Sequence, residues 1–404
     1  MKTETRLFWG SCFALITTAF SFSIRAGILG QLGEKLSLSA SQLGVINSMW
    51  FLGFPISMLV GGLIYHKVGG KVIMQFAFFA HALGILLTIF SGSYGVLLFS
   101  TLLIGLGNGC TEAACNPMIA DAFEGVTMAK MMNRFHMWFP GGIVIGALIS
   151  KFMTDANLGW KAQIWVIMIP TIAYAYLFWG QAWPKAKVED ASSLGGNFKA
   201  MVSPLFIVMF LLMALTAICE FGPQQWVGLI LAKSGAHPML ILALTAGLMA
   251  VARYFGGNAV GKFNTTGVLL GSAVLATIGI FLFSTQTGGM AYVAAIVYAL
   301  GIAYFWPNMI GFIAKYIPAS GALGMSAVGA MGMFSSSIFQ PIIGGWIDSN
   351  KAEAVAKGLK GDELDLVAGQ ATLQTMTLFP IILVVAFVVV LFWVKKIESE
   401  NPVA

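Results

Sequence analysis

The stretch GLGNGCTEAACNPMIADAF, from Gly105 to Phe123, closes a long apolar run and yet carries Glu112, Asn116 and Pro117. A charged side chain at the centre of a bilayer costs about 3 kcal/mol on insertion scales, so a lipid-spanning segment keeps one only where it meets a partner or a wet cavity. Glu112 and Asn116 lie four residues apart and share a helix face, while Gly105 and Gly109 leave a smooth flank for a neighbouring helix. Pro117 removes an amide from the helical ladder and frees a carbonyl one turn back. A membrane helix whose polar face looks into the protein fits all of these features.

The rest of the chain extends that reading. Of 404 residues, 58% are hydrophobic and only 9% are charged, where a soluble domain carries about a quarter charged residues. About 20 apolar residues make one helical span. Such runs fall at 7–32, 42–65, 71–91, 94–121, 133–154 and 162–184, then at 204–232, 238–262, 267–285, 290–312, 322–347 and 373–394. They predict an all-α integral membrane protein with twelve transmembrane helices. The first run, beginning near Leu7, is too long for a signal-peptide core and lacks a cleavage site, so it reads as a retained helix. Cys12, Cys110, Cys115 and Cys219 all fall inside spans and read as small buried hydrophobes. Neither a metal site nor a cofactor is expected, since no zinc-type spacing accompanies them.

The net charge of +6 does not point to nucleic acid, because the basic residues are scattered through short loops without a cluster or binding module. They orient the chain instead. With the N-terminus inside, the cytoplasmic loops hold the excess of Lys and Arg, including Lys67, Lys71, Lys130, Arg134, Lys185, Lys187, Lys262, Lys315, Lys395 and Lys396. The expected location is the inner cell membrane, multi-pass, with both termini cytoplasmic.

A polar connector divides the spans into two sets of six. The expected units are an N-terminal bundle over 1–184, a cytoplasmic linker over 185–203 and a C-terminal bundle over 204–404. The polar segment from Asp348 to Gln370 reads as a solvated loop with some helicity, with a short amphipathic surface helix as the alternative. A weak internal repeat relates GLIYHKVGGK (Gly62 to Lys71) to GNAVGKFNTT (Gly257 to Thr266). Two parallel halves with nested repeats are the architecture of major facilitator transporters. GLIYHKVGGK resembles that superfamily's loop signature, with His66 where an acidic residue is usual.

The helix-four motif resembles the fucose:proton symporter family more specifically. Gly107, Gly109, Cys110, Glu112, Ala114, Asn116 and Pro117 can be set against its G-x-G-C-x-E-x-A-x-N-P pattern, with slightly different glycine spacing. NRFHMWFPGG (Asn133 to Gly142) is similar to the start of that family's fifth helix, ARYFGG (Ala252 to Gly257) to the end of its eighth, and YFWPNMIGF (Tyr304 to Phe312) to its tenth. The resemblance implies that Glu112 lines the central cavity and takes part in sugar recognition and proton coupling, and that His136 lies near sugar-binding positions. One departure stands out. The family places an acid in helix one near Ala26, where this sequence has Arg25 alongside and no acid.

The ionisable residues inside spans are few: Arg25, His81, Glu112, Glu220 and Arg253, with His136 at a helix entrance. Arg25 and Glu220 lie at similar depths on the first and seventh helices, so an ion pair between the halves is geometrically sensible; a permanent pair within one half and an anion-binding Arg25 are the alternatives. Glu112 and Glu220 are the candidates for proton coupling. Arg253 is a candidate to capture helix-end carbonyls as a gate, and His81 reads as a packed histidine. Trp9, Trp179 and Trp183 read as interfacial anchors. Amides and aromatic faces suited to a sugar ring gather at Asn47 and Trp50, at Gln224, Gln225 and Trp226, and at Tyr304, Trp306 and Asn308. Asn116, His136 and Arg25 complete the candidate substrate-binding set.

These features together predict a secondary transporter, expected as a monomer in the lipid bilayer, that takes up a monosaccharide or small polyol with a coupled proton by alternating access. A carrier of an anionic solute such as a sugar acid, docked by Arg25, is the nearest rival. Drug efflux and a non-transporting receptor on the same fold are further ones. An enzyme is not expected, since no metal-binding HExxH, nucleophile elbow or phosphate-cradling loop accompanies the buried Glu and His.

Overall fold

Apolar helices build almost the whole molecule in the computed structural model, which describes residues 2–123, 125–184, 194–254 and 256–400. Eleven helices are long and apolar enough to cross a membrane: α1 (Thr3–Leu36), α2 (Ala40–Tyr65), α3 (Lys67–Phe90), α4 (Tyr94–Ala122), α5 (Arg134–Asp155), α6 (Trp160–Phe178), α7 (Pro204–Ile230), α9 (Phe263–Thr285), α10 (Gly289–Tyr316), α11 (Leu323–Ala356) and α12 (Gly361–Ser399). The twelfth predicted span is α8 (Pro238–Tyr254), apolar but shorter. Among the described residues there is no β-strand. The expected linker residues 185–193, and the side chains of His66, Lys130, Asn133 and Lys262, lie outside the described residues. A short helix, Leu194–Met201, leads into α7, and another, Gly125–His136, precedes the body of α5.

Local sequence sets the helix ends. Ser39 caps α2 through a reciprocal bond with Gln42, and Ser93 and Ser203 accept from backbone amides at the starts of α4 and α7. Gly69, at φ 79°, kinks the chain within the first turn of α3 in a conformation that favours a residue without Cβ. The segment from Asp348 to Gln370 is more helical than a solvated loop: α11 runs on to Ala356, and α12 begins at Gly361. Its charges pair along and between these helices, as in Lys351–Asp365 at 2.7 Å and Lys357–Glu353 at 2.7 Å.

The first six spans pack on one another, with α2 and α3 against α4 and α1 against α5 and α6. The last six do likewise, with α9 against α10 and α12, and α7 against α11. Lipid supplies no hydrophobic drive between helices, so close backbone approach carries the packing. A Cβ on Gly105 would lie 2.5 Å from the carbonyl oxygen of Trp50, and one on Gly109 would strike that of Phe54.

The two sets of six meet along α1–α7, α2–α11 and α5–α8. Every named contact between them lies away from the face that bears the chain ends. Asp348 accepts from the amides of Ala40 and Ser41 at 2.9 and 2.8 Å, capping α2 from α11. Gly228 of α7 abuts the carbonyl of Ala26, and His237 approaches Asp155 at 3.5 Å.

Candidate functional site

Arg25 sits where α1 meets α7, only 6% exposed. Its Nη2 donates to Oε1 of Gln225 at 3.0 Å, and its guanidinium carbon lies 5.1 Å from the centre of the Trp50 ring. Gln225 is fixed in turn, its Nε2 donating to the carbonyl of Phe22 at 3.1 Å. Nε of Arg25 has no hydrogen-bond partner, and among the described residues no carboxylate pairs with this cation. On α2, one turn before Trp50, Asn47 is fully buried with neither amide atom bonded. One turn from Arg25 toward the chain ends, Phe22, Phe51 and Phe221 form an aromatic layer across both sets of helices, with ring centres 5.6 to 6.3 Å apart. Trp306 joins it at 5.9 Å from Phe221.

Glu220 does not reach Arg25. Its Oε1 accepts from Nη2 of Arg253 at 3.0 Å, within the last six helices, so the ion pair expected between the halves is replaced by one inside a half. Two prolines explain the arrangement. Pro307 has no amide for the carbonyl of Ala303, and Nε of Arg253 donates to that oxygen at 2.8 Å. Pro223 likewise frees the carbonyl of Cys219, which the hydroxyl of Tyr298 meets at 2.8 Å while also lying 2.8 Å from the carbonyl of Glu220. The broken α10, interrupted at Ala303 and Tyr304, thus holds Arg253 against α7. Oε2 of Glu220 is buried without a partner.

Glu112 and Asn116 share a face of α4, as their spacing predicts, with Nδ2 of Asn116 donating to Oε2 of Glu112 at 2.7 Å. Both are half-buried, and Oδ1 of Asn116 is unpartnered.

The other candidates divide. Gln225, Trp50 and Arg25 form one contact group. Gln224 faces away from it, into a crevice among the last six helices lined by Thr245, Phe283 and Tyr298. Trp226 is fully buried with its indole N–H unbonded. Tyr304 donates to the carbonyl of Ala252 at 2.8 Å, and Asn308 donates to the carbonyl of Tyr304 at 2.9 Å, so both serve the α10 break. His136 is exposed, packed edge-on against Phe135. In sequence Phe22, Phe51 and Phe221 look like ordinary lipid-facing residues and carry no signal of a site, whereas Asn108 carries one in its spacing of four from Glu112.

The sequence matches the Major Facilitator Superfamily over residues 11–341. The chain belongs to that superfamily. It is therefore a multi-pass membrane transporter and not an enzyme. Among its relatives, the 3-(3-hydroxy-phenyl)propionate transporter of Escherichia coli (strain K12) is 24% identical over 81% of this chain and 84% of the relative. The sialic acid transporter NanX of the same organism is 21% identical over 85% and 88%. A hexuronate transporter of Bacillus subtilis (strain 168) is 26% identical over a shorter match, 42% of this chain and 40% of the relative. Among solved structures, the nucleoside transporter NupG superposes with a TM-score of 0.77 at 13% identity, covering 96% of this chain and 99% of that one. A bacterial homologue of the lysosomal transporter Spinster, inward-facing and occupied, gives 0.78 at 14% identity, covering 96% and 97%.

Proposed function

We propose that this superfamily member carries an organic anion of the sugar-acid class, with Arg25 docking the carboxylate. One observation carries the reading: Arg25 is buried where the two sets of helices meet and, among the described residues, meets a neutral amide and an aromatic face with no carboxylate, whereas the other arginine of the membrane interior described here, Arg253, is neutralised by Glu220. An unpaired buried cation is costly, and a planar guanidinium suits a carboxylate in two-pronged contact. The ligand carboxylate displaces Oε1 of Gln225 from Nη2 and also engages the unpartnered Nε. Asn47 supplies a donor and an acceptor for hydroxyl groups. The names of the hexuronate, sialic acid and hydroxyphenylpropionate transporters support an anionic cargo.

Glu112 is the proposed proton carrier, supported by the likeness of its motif to the fucose:proton symporters and by its half-buried position, bonded among the described residues to Asn116 alone. Glu220 and Arg253 act as the charge that braces α7 against the broken α10. Bundles spanning 1–184 and 204–404, joined by the 185–203 linker, rock about the Arg25 level. With both termini cytoplasmic in the inner membrane, the present arrangement, closed away from the chain ends, is the inward-facing one.

The test is uptake into proteoliposomes under an inward-directed proton gradient. Labelled D-glucuronate is expected to accumulate and D-glucose is not, and Glu112→Gln protein is expected to bind glucuronate without accumulating it. Accumulation of glucose in place of glucuronate would restore the neutral-sugar reading, for which relatives named as inositol transporters speak. Binding without any movement of solute would make the protein a receptor.

A further inference from the structure

A chain of buried polar side chains runs away from Arg25 through the first six helices. Nε1 of Trp50 donates to Oγ of Ser21 at 2.8 Å, and the same oxygen accepts from Nδ2 of Asn108 at 3.4 Å while donating to the carbonyl of Thr18 at 2.8 Å. Oδ1 of Asn108 then meets Nε2 of His81 at 3.0 Å, and Nδ1 of His81 meets the hydroxyl of Tyr174 at 3.0 Å. His81, Asn108 and Trp50 are fully buried, and Ser21 and Tyr174 almost so.

The directions of these bonds follow from the chemistry. With its amide nitrogen turned to Ser21, Asn108 presents an oxygen that only accepts, so Nε2 of His81 carries the hydrogen. In the neutral ring Nδ1 then accepts from the Tyr174 hydroxyl. Every member is satisfied in a single arrangement, and such complete buried networks fix geometry rather than merely filling space. Gly107 makes room for it: a Cβ there would lie 2.6 Å from Nε2 of His81.

The network links α1, α2, α3, α4 and α6, and ends on the indole that covers the guanidinium of Arg25. We propose that Ser21, Asn108 and His81 are positioning residues that hold the Trp50 indole against Arg25 and so set the affinity for the docked anion. The proposal rests on the anion-docking reading of Arg25, but its geometry is measurable without any ligand.

The experiment labels the protein with 5-fluorotryptophan and assigns the Trp50 fluorine resonance among the 11 tryptophans by its loss in Trp50→Phe. Ser21→Ala, which removes one hydroxyl and little volume, and His81→Leu are each expected to shift or broaden that resonance. Both are expected to raise the Kd for D-glucuronate about three- to tenfold, the effect of one lost buried hydrogen bond. His81→Gln, which retains a donor toward Asn108, is expected to recover much of the loss. In a Trp50→Phe background, Ser21→Ala is expected to change Kd no further, because coupled residues are not additive. Should His81→Leu not fold, Ser21→Ala alone decides. An unmoved Trp50 resonance, or an unchanged further loss in the Trp50→Phe background, would overturn the proposal. A shifted resonance in a protein that binds no glucuronate would uphold the network and sink the Arg25 reading instead.

Discussion

Arg25 and Arg253 are two cations in one membrane protein with opposite surroundings. Arg253 is neutralised by the protein itself: Glu220 balances its charge, and the carbonyl that Pro307 strips of its amide accepts from its Nε. Arg25, deeper in the contact between the two sets of helices, has a glutamine oxygen, an indole face and an unbonded Nε. The difference separates a brace from a receptor site, because a charge that the fold neutralises has no need of a ligand and one that the fold leaves bare does.

The largest expected effect falls on the brace. Arg253→Leu strands the buried Glu220 carboxylate, and losing one partner of a buried pair costs about 3 to 5 kcal/mol. A marked fall in the melting temperature of the detergent-solubilised protein is the expected outcome, and Glu220→Gln in the same background is expected to restore part of it. Arg25→Leu is expected to behave in the opposite way. It removes an unbalanced buried charge, so the ligand-free protein holds or gains thermal stability while affinity for glucuronate drops by about 2 to 3 kcal/mol, the worth of charge-assisted hydrogen bonds. Equal destabilisation by the two substitutions would erase the distinction between the arginines.

A smaller effect sharpens it. Gln225→Leu removes the neutral group that competes for Nη2 of Arg25, so glucuronate is expected to bind more tightly, by about 1 kcal/mol in a titration. Smaller again is Asp348→Asn, which weakens the carboxylate cap on the N-terminus of α2 by about 0.3 to 1 kcal/mol. Spin labels placed on α2 and α11 away from the chain ends are expected to report a larger population of separated distances.

The membrane architecture was legible because it rests on composition and run length: eleven spans, and α8 as a shorter twelfth, stand where apolar runs predicted them. The Glu112–Asn116 bond was legible because i and i+4 neighbours are fixed by helix geometry alone. The partner of Glu220 was not. Sequence gives the depth of Arg25 and Glu220 along their helices, but the choice of Arg253 depends on which way α7 is rotated and on where the break in α10 presents its carbonyl. Gln224 and Gln225 make the same point, being adjacent in sequence while one faces Tyr298 and the other Arg25. The polar residues of the Asp348 to Gln370 segment read as solvated by composition, yet their charges pair on helices that composition alone does not position.

The most direct measurement is the melting temperature of the purified protein titrated with D-glucuronate and, in parallel, with D-glucose, since a ligand of the folded state raises stability by mass action. A saturable rise is expected with glucuronate, none with glucose, and none with either in Arg25→Leu. Glucose stabilising as well as glucuronate, or a rise that survives in Arg25→Leu, would contradict anion docking at Arg25.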